Sequence, residues 1–158
     1  MNKVFNILIN VLQVTLTFFA LISIYMIYAF LDTDFGIEGL FGLILFQPII
    51  GIALSVITII ICTLIGLPIR CNKNINQWWT THFYISIIGA LSGLVFFTVS
   101  FLPSFQETVT VQMDEINTIK HIPNSILVYI GWFLIAFSLL HLYLPKKITD
   151  KIKSINKE

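Results

Sequence analysis

Charged residues are scarce in this chain: Asp, Glu, Lys and Arg make up 11% of its 158 residues, against about 25% in an ordinary globular domain. Four long stretches contain none at all, at residues 4–31, 39–69, 83–105 and 122–145. A hydrocarbon core about 30 Å thick is crossed by roughly 20 helical residues. The absence of charge therefore excludes a soluble globular protein and predicts four membrane spans.

Alternation of polar and apolar residues is also missing from these stretches, which excludes the strands of a membrane barrel. The sequence predicts an all-α fold, an integral membrane four-helix bundle that forms a single domain over residues 1–158. The first stretch is predicted to be a retained span, because it far exceeds the roughly 7–15 apolar residues of a signal peptide. The predicted spans are residues 4–31, 40–67, 79–102 and 124–144, followed by a basic amphipathic tail at 145–158.

Basic residues are nearly absent from one side of the predicted spans. Lys3, Arg70, Lys73 and the lysines of the tail lie on one side, and the other side holds only Lys120. The positive-inside rule then predicts that both termini are cytoplasmic. The abundance of Ile, Asn and Lys favours a bacterial protein, so the predicted location is the plasma (inner) membrane, with a multi-pass topology.

One sizeable extracytoplasmic loop is expected, at residues 103–123. Thr108 to Met113 alternates polar with apolar and β-branched residues, which predicts a strand. Because a lone hairpin is only marginally stable in water, this element is expected to pack on the loop near Gly36 and Gly39 or on a partner.

Catalytic and redox signatures are missing as well. The two cysteines, Cys62 and Cys71, form no C-x-x-C pair, and no disulfide is expected between them. The chain has no H-E-x-x-H, G-x-S-x-G or P-loop motif, and no charged residue lies inside a span. The sequence therefore predicts a protein that is not an enzyme, has no cofactor and binds no nucleic acid.

Two histidines at similar predicted depth, His82 and His141, raise the alternative of haem or metal ligation. Each lies alone in its span, and no second pair lies across the membrane. Ordinary interfacial histidines are the favoured interpretation.

Small residues recur at three- and four-residue steps, the spacing of one helix face. Helices in lipid associate through such positions because they allow close approach. Gly89 and Gly93 form a GxxxG motif, which serves packing within one chain or dimerisation, and a four-span chain favours the internal partner. Pro48 is predicted to kink the second span. The predicted packing residues are Gly51, Ser55, Cys62, Gly66, Ser86, Gly89, Gly93 and Gly131.

A candidate polar cluster is predicted in the cytoplasmic half of the bundle. Asn6, Asn10 and Gln13 share one face of span 1, and His82 shares the face of the Gly89–Gly93 motif at comparable depth. Unpaired amides are costly in hydrocarbon, so these side chains should turn inward. Ordinary interhelical hydrogen bonds are the first interpretation, and a lining for a small polar cavity is the second.

Two function hypotheses remain open. The first is a small inner-membrane accessory or interaction protein that binds another membrane protein, in a complex-stabilising or immunity-type role. The second is a homo-oligomeric pore or carrier for a small solute, lined by Asn6, Asn10, Gln13, Gln47 and the small residues. A membrane enzyme or haem carrier is a distant third. The expected partners are the lipid bilayer and either another membrane protein or further copies of this chain.

Overall fold

The computed structural model of the chain describes residues 3–32, 37–113 and 116–143, with side chains described for all of these except 3–6, 32, 37–38, 111–113 and 116–118. It is mostly helical. The helices are α1 (Lys3–Asp32), α2 (Ile37–Phe41), a π-helical turn (Gly42–Phe46), α3 (Gln47–Ile65), α4 (Leu67–Cys71), α5 (Lys73–Thr81), α6 (Tyr84–Val99) and α7 (Ser125–Leu140), and the strands are β1 (Glu107–Met113) and β2 (Ile116–Ile122).

Two helical segments in the described part of the chain are long and apolar enough to cross a membrane, Ile7–Leu31 and Gly39–Ile65. A third qualifies if α5 and α6, which meet at a 70° bend, are counted as one span. Helix α7 is apolar but has 16 residues, which at 1.5 Å per residue is about 24 Å. The structure thus supports a helical protein with two or three candidate spans.

A π-helical turn lies just before Pro48, the residue at which the sequence predicts a kink. Proline lacks a backbone N–H and disturbs the helical hydrogen-bond ladder one turn earlier. The N–H of Gln47 bonds to the carbonyl of Gly42, five residues back, so the turn is widened to the π pattern. Helix α3 then begins with Pro48 in its first turn, where a missing N–H is tolerated.

Helix α7 is the central element of the bundle, because it packs against α1, α3 and α6, while α1 also packs against α3. Its closest neighbour is α6. A Cβ atom built on Gly93 would lie 2.7 Å from the carbonyl oxygen of Gly131, and one built on Gly131 would lie 2.7 Å from the carbonyl oxygen of Gly93. Both backbones therefore touch where neither residue has a side chain.

Two apolar clusters fill the spaces around α7. The first joins α1, α3 and α7, and the second joins α1, α6 and α7. The buried members of the first are Leu21, Ile59, Cys62, Ala136 and Leu140. Those of the second are Ile24, Phe97 and Ile135.

The strand predicted for 108–113 is confirmed as β1, which pairs with β2 in an antiparallel hairpin from Glu107↔Ile122 to Met113↔Ile116. The base of the hairpin is tied to the start of α7. Oxygens of the Glu107 carboxylate accept hydrogen bonds from the backbone N–H of Ser125 (3.2 Å) and from its hydroxyl (3.1 Å). The backbone N–H of Asn124 donates to the carbonyl of Ser100 at 3.1 Å. The hairpin is therefore attached to the start of α7, which is itself joined to the end of α6.

Candidate functional site

The end of α7 gathers polar side chains from four other parts of the chain. The last carbonyl groups of a helix have no partner within it, and here three consecutive carbonyls receive side-chain donors. Gln13 Nε2 donates to Leu142 at 2.7 Å, and Arg70 Nη2 donates to Leu140 at 3.1 Å. The third carbonyl, of His141, accepts from Trp79 Nε1 at 2.8 Å and from Ser86 Oγ at 2.9 Å. We call these groups the α7 carbonyl cluster.

The positive charge of Arg70 lies at the negative end of the α7 helix dipole, where a cation is stabilised. Its Nη1 also approaches the Oδ1 of Asn10 at 3.4 Å. Helix α1 therefore reaches the cluster through Asn10 as well as through Gln13, three residues further along. Among the described residues, Gln13 Oε1, Arg70 Nε and His141 Nε2 are buried without a hydrogen-bond partner.

His141 is fully buried, at 0% exposure. Its Nδ1 lies 2.8 Å from the carbonyl of Phe137, and because a carbonyl can only accept, Nδ1 carries the proton. Nε2 lies against Gly66, where a Cβ atom would collide with the ring. Both ring nitrogens are thus covered by protein, and ligation by His141 would require α3 and α7 to separate.

The predicted polar cluster is distributed over two places. Asn10 and Gln13 take part in the α7 carbonyl cluster, whereas His82 stacks on Trp78 with ring centroids 4.7 Å apart and places its Nδ1 2.9 Å from the Trp78 carbonyl. The Asn6 side chain lies outside the described residues, as does the basic tail at 145–158. Whether the four predicted residues act together stays a prediction.

Sequence reasoning missed the contact of Trp79 with the end of α7, and it used Arg70 only for membrane orientation. Their donor groups reach carbonyls 70 and 62 residues away. No local sequence pattern points to main-chain acceptors at that distance.

The predicted packing residues lie at helix contacts. Ser55 and Cys62 are fully buried, and Ser86 belongs to the α7 carbonyl cluster. The glycines each face a specific neighbour on another helix: Gly51 meets the Tyr25 ring, Gly66 meets His141, Gly89 meets Ser138, and Gly93 meets Gly131.

A groove of about 370 Å³ opens between α1, α3 and α7, toward the hairpin end of the bundle. Its walls are apolar and aromatic, and include Tyr25, Tyr28, Leu54, Tyr129 and Trp132. The polar atoms at its base have partners within the chain: Trp132 Nε1 donates to the hydroxyl of Thr58 at 2.9 Å, which donates to the carbonyl of Leu54 at 2.8 Å. This surface suits apolar contact.

No protein-family model matches the chain, and comparisons with curated proteins and with solved structures give no match. The geometry of the helix bundle and of the hairpin is therefore the basis for inferring a function.

Proposed function

We propose that the chain is a four-span accessory protein of the bacterial inner membrane that binds another membrane protein, in a complex-stabilising or immunity-type role. In this arrangement α1, the Gly39–Ile65 segment, α6 and α7 cross the bilayer. The asymmetric distribution of lysine and arginine supports cytoplasmic termini and an extracytoplasmic hairpin.

The hairpin is the observation that carries this proposal. Val109 and Ile119 are 40% and 71% exposed, and the register places them on opposite faces, since Val109 pairs with Lys120 and Thr110 pairs with Ile119. Covering one face would leave the apolar residue on the other face exposed. A two-stranded sheet is also marginal in water and has open edges. A partner strand added to an edge supplies both hydrogen bonds and apolar contact.

The groove supports the same conclusion, because it adjoins the hairpin. Ser125 lines the groove and also holds the Glu107 carboxylate at the base of the hairpin. A partner that places a transmembrane helix in the groove can therefore place an extracytoplasmic strand on the hairpin. The hydrogen bonds between Glu107 and Ser125 would hold that docking element to the bundle.

The alternative, a homo-oligomeric pore or carrier, is less well supported because two of the polar side chains it needs, Gln13 and Gln47, are engaged within the chain. Gln13 is 5% exposed and donates to Leu142. Gln47 accepts a hydrogen bond from the hydroxyl of Tyr25, and Asn10 faces Arg70. Side chains used in this way are not available to line a solute path.

The test is photocrosslinking from the hairpin in intact membranes. A photoreactive amino acid at Ile119 should capture a foreign membrane protein in stoichiometric yield, identified by mass spectrometry after purification in mild detergent. The same amino acid at the exposed Thr98 of α6 is the control and should capture mainly lipid. Ile119→Asp should abolish copurification of the partner without changing the melting temperature.

Two outcomes would argue against the proposal. A ring of identical subunits linked through Ile119 would support the pore or carrier instead. Capture that is equal from Ile119 and Thr98, and insensitive to Ile119→Asp, would remove the hairpin as the docking element.

A further inference from the structure

The short helix α5 does not continue the line of α6. Its first turn is closed by Asn72, whose side chain accepts hydrogen bonds from the N–H groups of Asn74 and Ile75 at 3.0 and 3.3 Å. It ends at His82, whose φ of −105° and ψ of 40° are not helical. The axis then turns by 70° into α6. If α6 crosses the bilayer, a helix at this angle runs close to the membrane plane.

One face of α5 is fixed to the bundle by Trp79. The indole N–H of this residue reaches the carbonyl of His141 and the hydroxyl of Ser86, and its ring packs against Phe137 with centroids 6.1 Å apart. Helix α5 is therefore held at the α7 carbonyl cluster, and its rotation about its own axis is determined.

That rotation leaves a second apolar strip partly exposed. Ile75 and Trp78, three residues apart, are 38% and 50% exposed. His82 links the strip to the start of α6, because its ring stacks on Trp78 and lies 5.8 Å from the ring of Tyr84, which is also exposed. The remaining exposed side chains of α5 are polar, namely Lys73, Asn74, Gln77 and Thr81.

We propose that α5 is a membrane-surface helix whose partner is the boundary between the phospholipid headgroups and the acyl chains. Ile75 and Trp78 enter this boundary, where the amphipathic indole is favoured. Lys73 and the amides face the phosphates and water, the arrangement that surface helices adopt. This inference concerns a lipid contact and is independent of the protein partner proposed above.

The lipid contact of α5 has a structural consequence, because the adjacent residues Trp78 and Trp79 have different environments. Trp78 faces lipid and Trp79 holds the end of α7. The lipid boundary therefore sets the depth of the same short helix that supplies a donor to the α7 carbonyl cluster.

Depth-dependent fluorescence quenching tests the proposal on the full chain in vesicles of phosphatidylcholine and phosphatidylglycerol. The signal of Trp78 is obtained as the wild-type emission minus that of Trp78→Phe. Lipids brominated near the headgroup should quench this signal at least twofold more than lipids brominated near the chain ends. Iodide in the aqueous phase should quench it weakly. The corresponding difference for Trp79→Phe should show little quenching by any brominated lipid.

A gain-of-signal variant keeps the test independent of folding effects at Trp78. Combining Trp78→Phe with Ile75→Trp moves the indole one turn along the same strip, and shallow quenching should return. Trp78→Phe should melt as the wild type does, while Trp79→Phe should melt lower. Quenching of Trp78 by iodide alone, by chain-end bromine best, or by no quencher would overturn the proposal.

Discussion

The side-chain amide of Gln13 donates a 2.7 Å hydrogen bond to the backbone carbonyl of Leu142, which joins the first described helix to the chain just after the last one. In a membrane protein the apolar surface gives helices little reason to prefer one another over lipid. Specific polar contacts and close backbone approach must therefore fix the arrangement. The α7 carbonyl cluster supplies the polar contacts at one end of α7. The contact between Gly93 of α6 and Gly131 of α7 supplies the close backbone approach.

Replacing Gln13 by Leu should destabilise the bundle, because it removes the donor to Leu142 while keeping a similar volume. Loss of the donor to this part-buried carbonyl should cost up to about 1–3 kcal/mol, and thermal unfolding in mild detergent should show a lower midpoint. Thr15→Leu on the exposed face of α1 is the matched control and should leave the midpoint unchanged. Equal midpoints for the two variants would mean that the Gln13 hydrogen bond does not stabilise the fold.

Arg70→Gln should lower stability by about 1–3 kcal/mol, because a charged donor to Leu140 and a cation at the α7 dipole are both lost. Lys73→Gln, which removes a nearby charge from an exposed side chain, should change stability by less than about 0.5 kcal/mol. Chemical unfolding of both variants in the same detergent makes the comparison. If the two variants lose the same amount of stability, the decrease is caused by the change in net charge, and the hydrogen bond from Arg70 does not contribute.

Gly93→Ala should loosen the α6–α7 contact, since the added methyl would lie 2.7 Å from both the Gly131 carbonyl and the Ile135 side chain. Overpacking of this kind costs about 1–3 kcal/mol. Gly42→Ala makes the same chemical change where no atom lies within 4 Å and should be neutral or slightly stabilising. Thermal midpoints that fall equally in both variants would contradict the close packing.

Reporter fusions should place the two ends of the spans on opposite sides of the membrane. Fusions after Phe35 and near Met113 should report the outside, and fusions after Lys73 and after Glu158 the inside. An alkaline phosphatase and a fluorescent protein reporter give complementary signals at each position. External activity of the Lys73 fusion would reverse the orientation on which the proposed function depends.

The long helices and the first strand of the hairpin could be predicted from the sequence, because each is specified by a local pattern of residues. Uninterrupted apolar runs predict α1 and the Gly39–Ile65 segment, and alternation predicts β1. The break between α5 and α6 could not be predicted, because neither a proline nor a glycine marks it in the sequence. The prediction that His82 shares a face with Gly89 and Gly93 assumed one continuous helix. The backbone dihedral angles of His82 are not helical, so residues before and after it do not follow one helical periodicity.

The α7 carbonyl cluster could not be predicted for a different reason. Its acceptors are main-chain carbonyls, whose availability depends on where α7 ends, and its donors come from positions up to 129 residues away. Helix periodicity indicates that Gln13 and Ser86 turn inward, but it does not identify the hydrogen-bond acceptor that each side chain meets on the neighbouring helix. That pairing is a property of the assembled helices.

The central position of α7 has a consequence for biosynthesis. Because α7 follows the other helices in the chain, α1, α3 and α6 leave the ribosome before the element that joins them exists. Until then Gln13, Arg70, Trp79 and Ser86 lack the carbonyls to which they donate, and Gly93 lacks its opposing glycine. Synthesis of the earlier helices and completion of the native bundle are therefore separate events. Among the described elements, α1 and α3 form the most extensive helix pair that a chain ending before α7 retains.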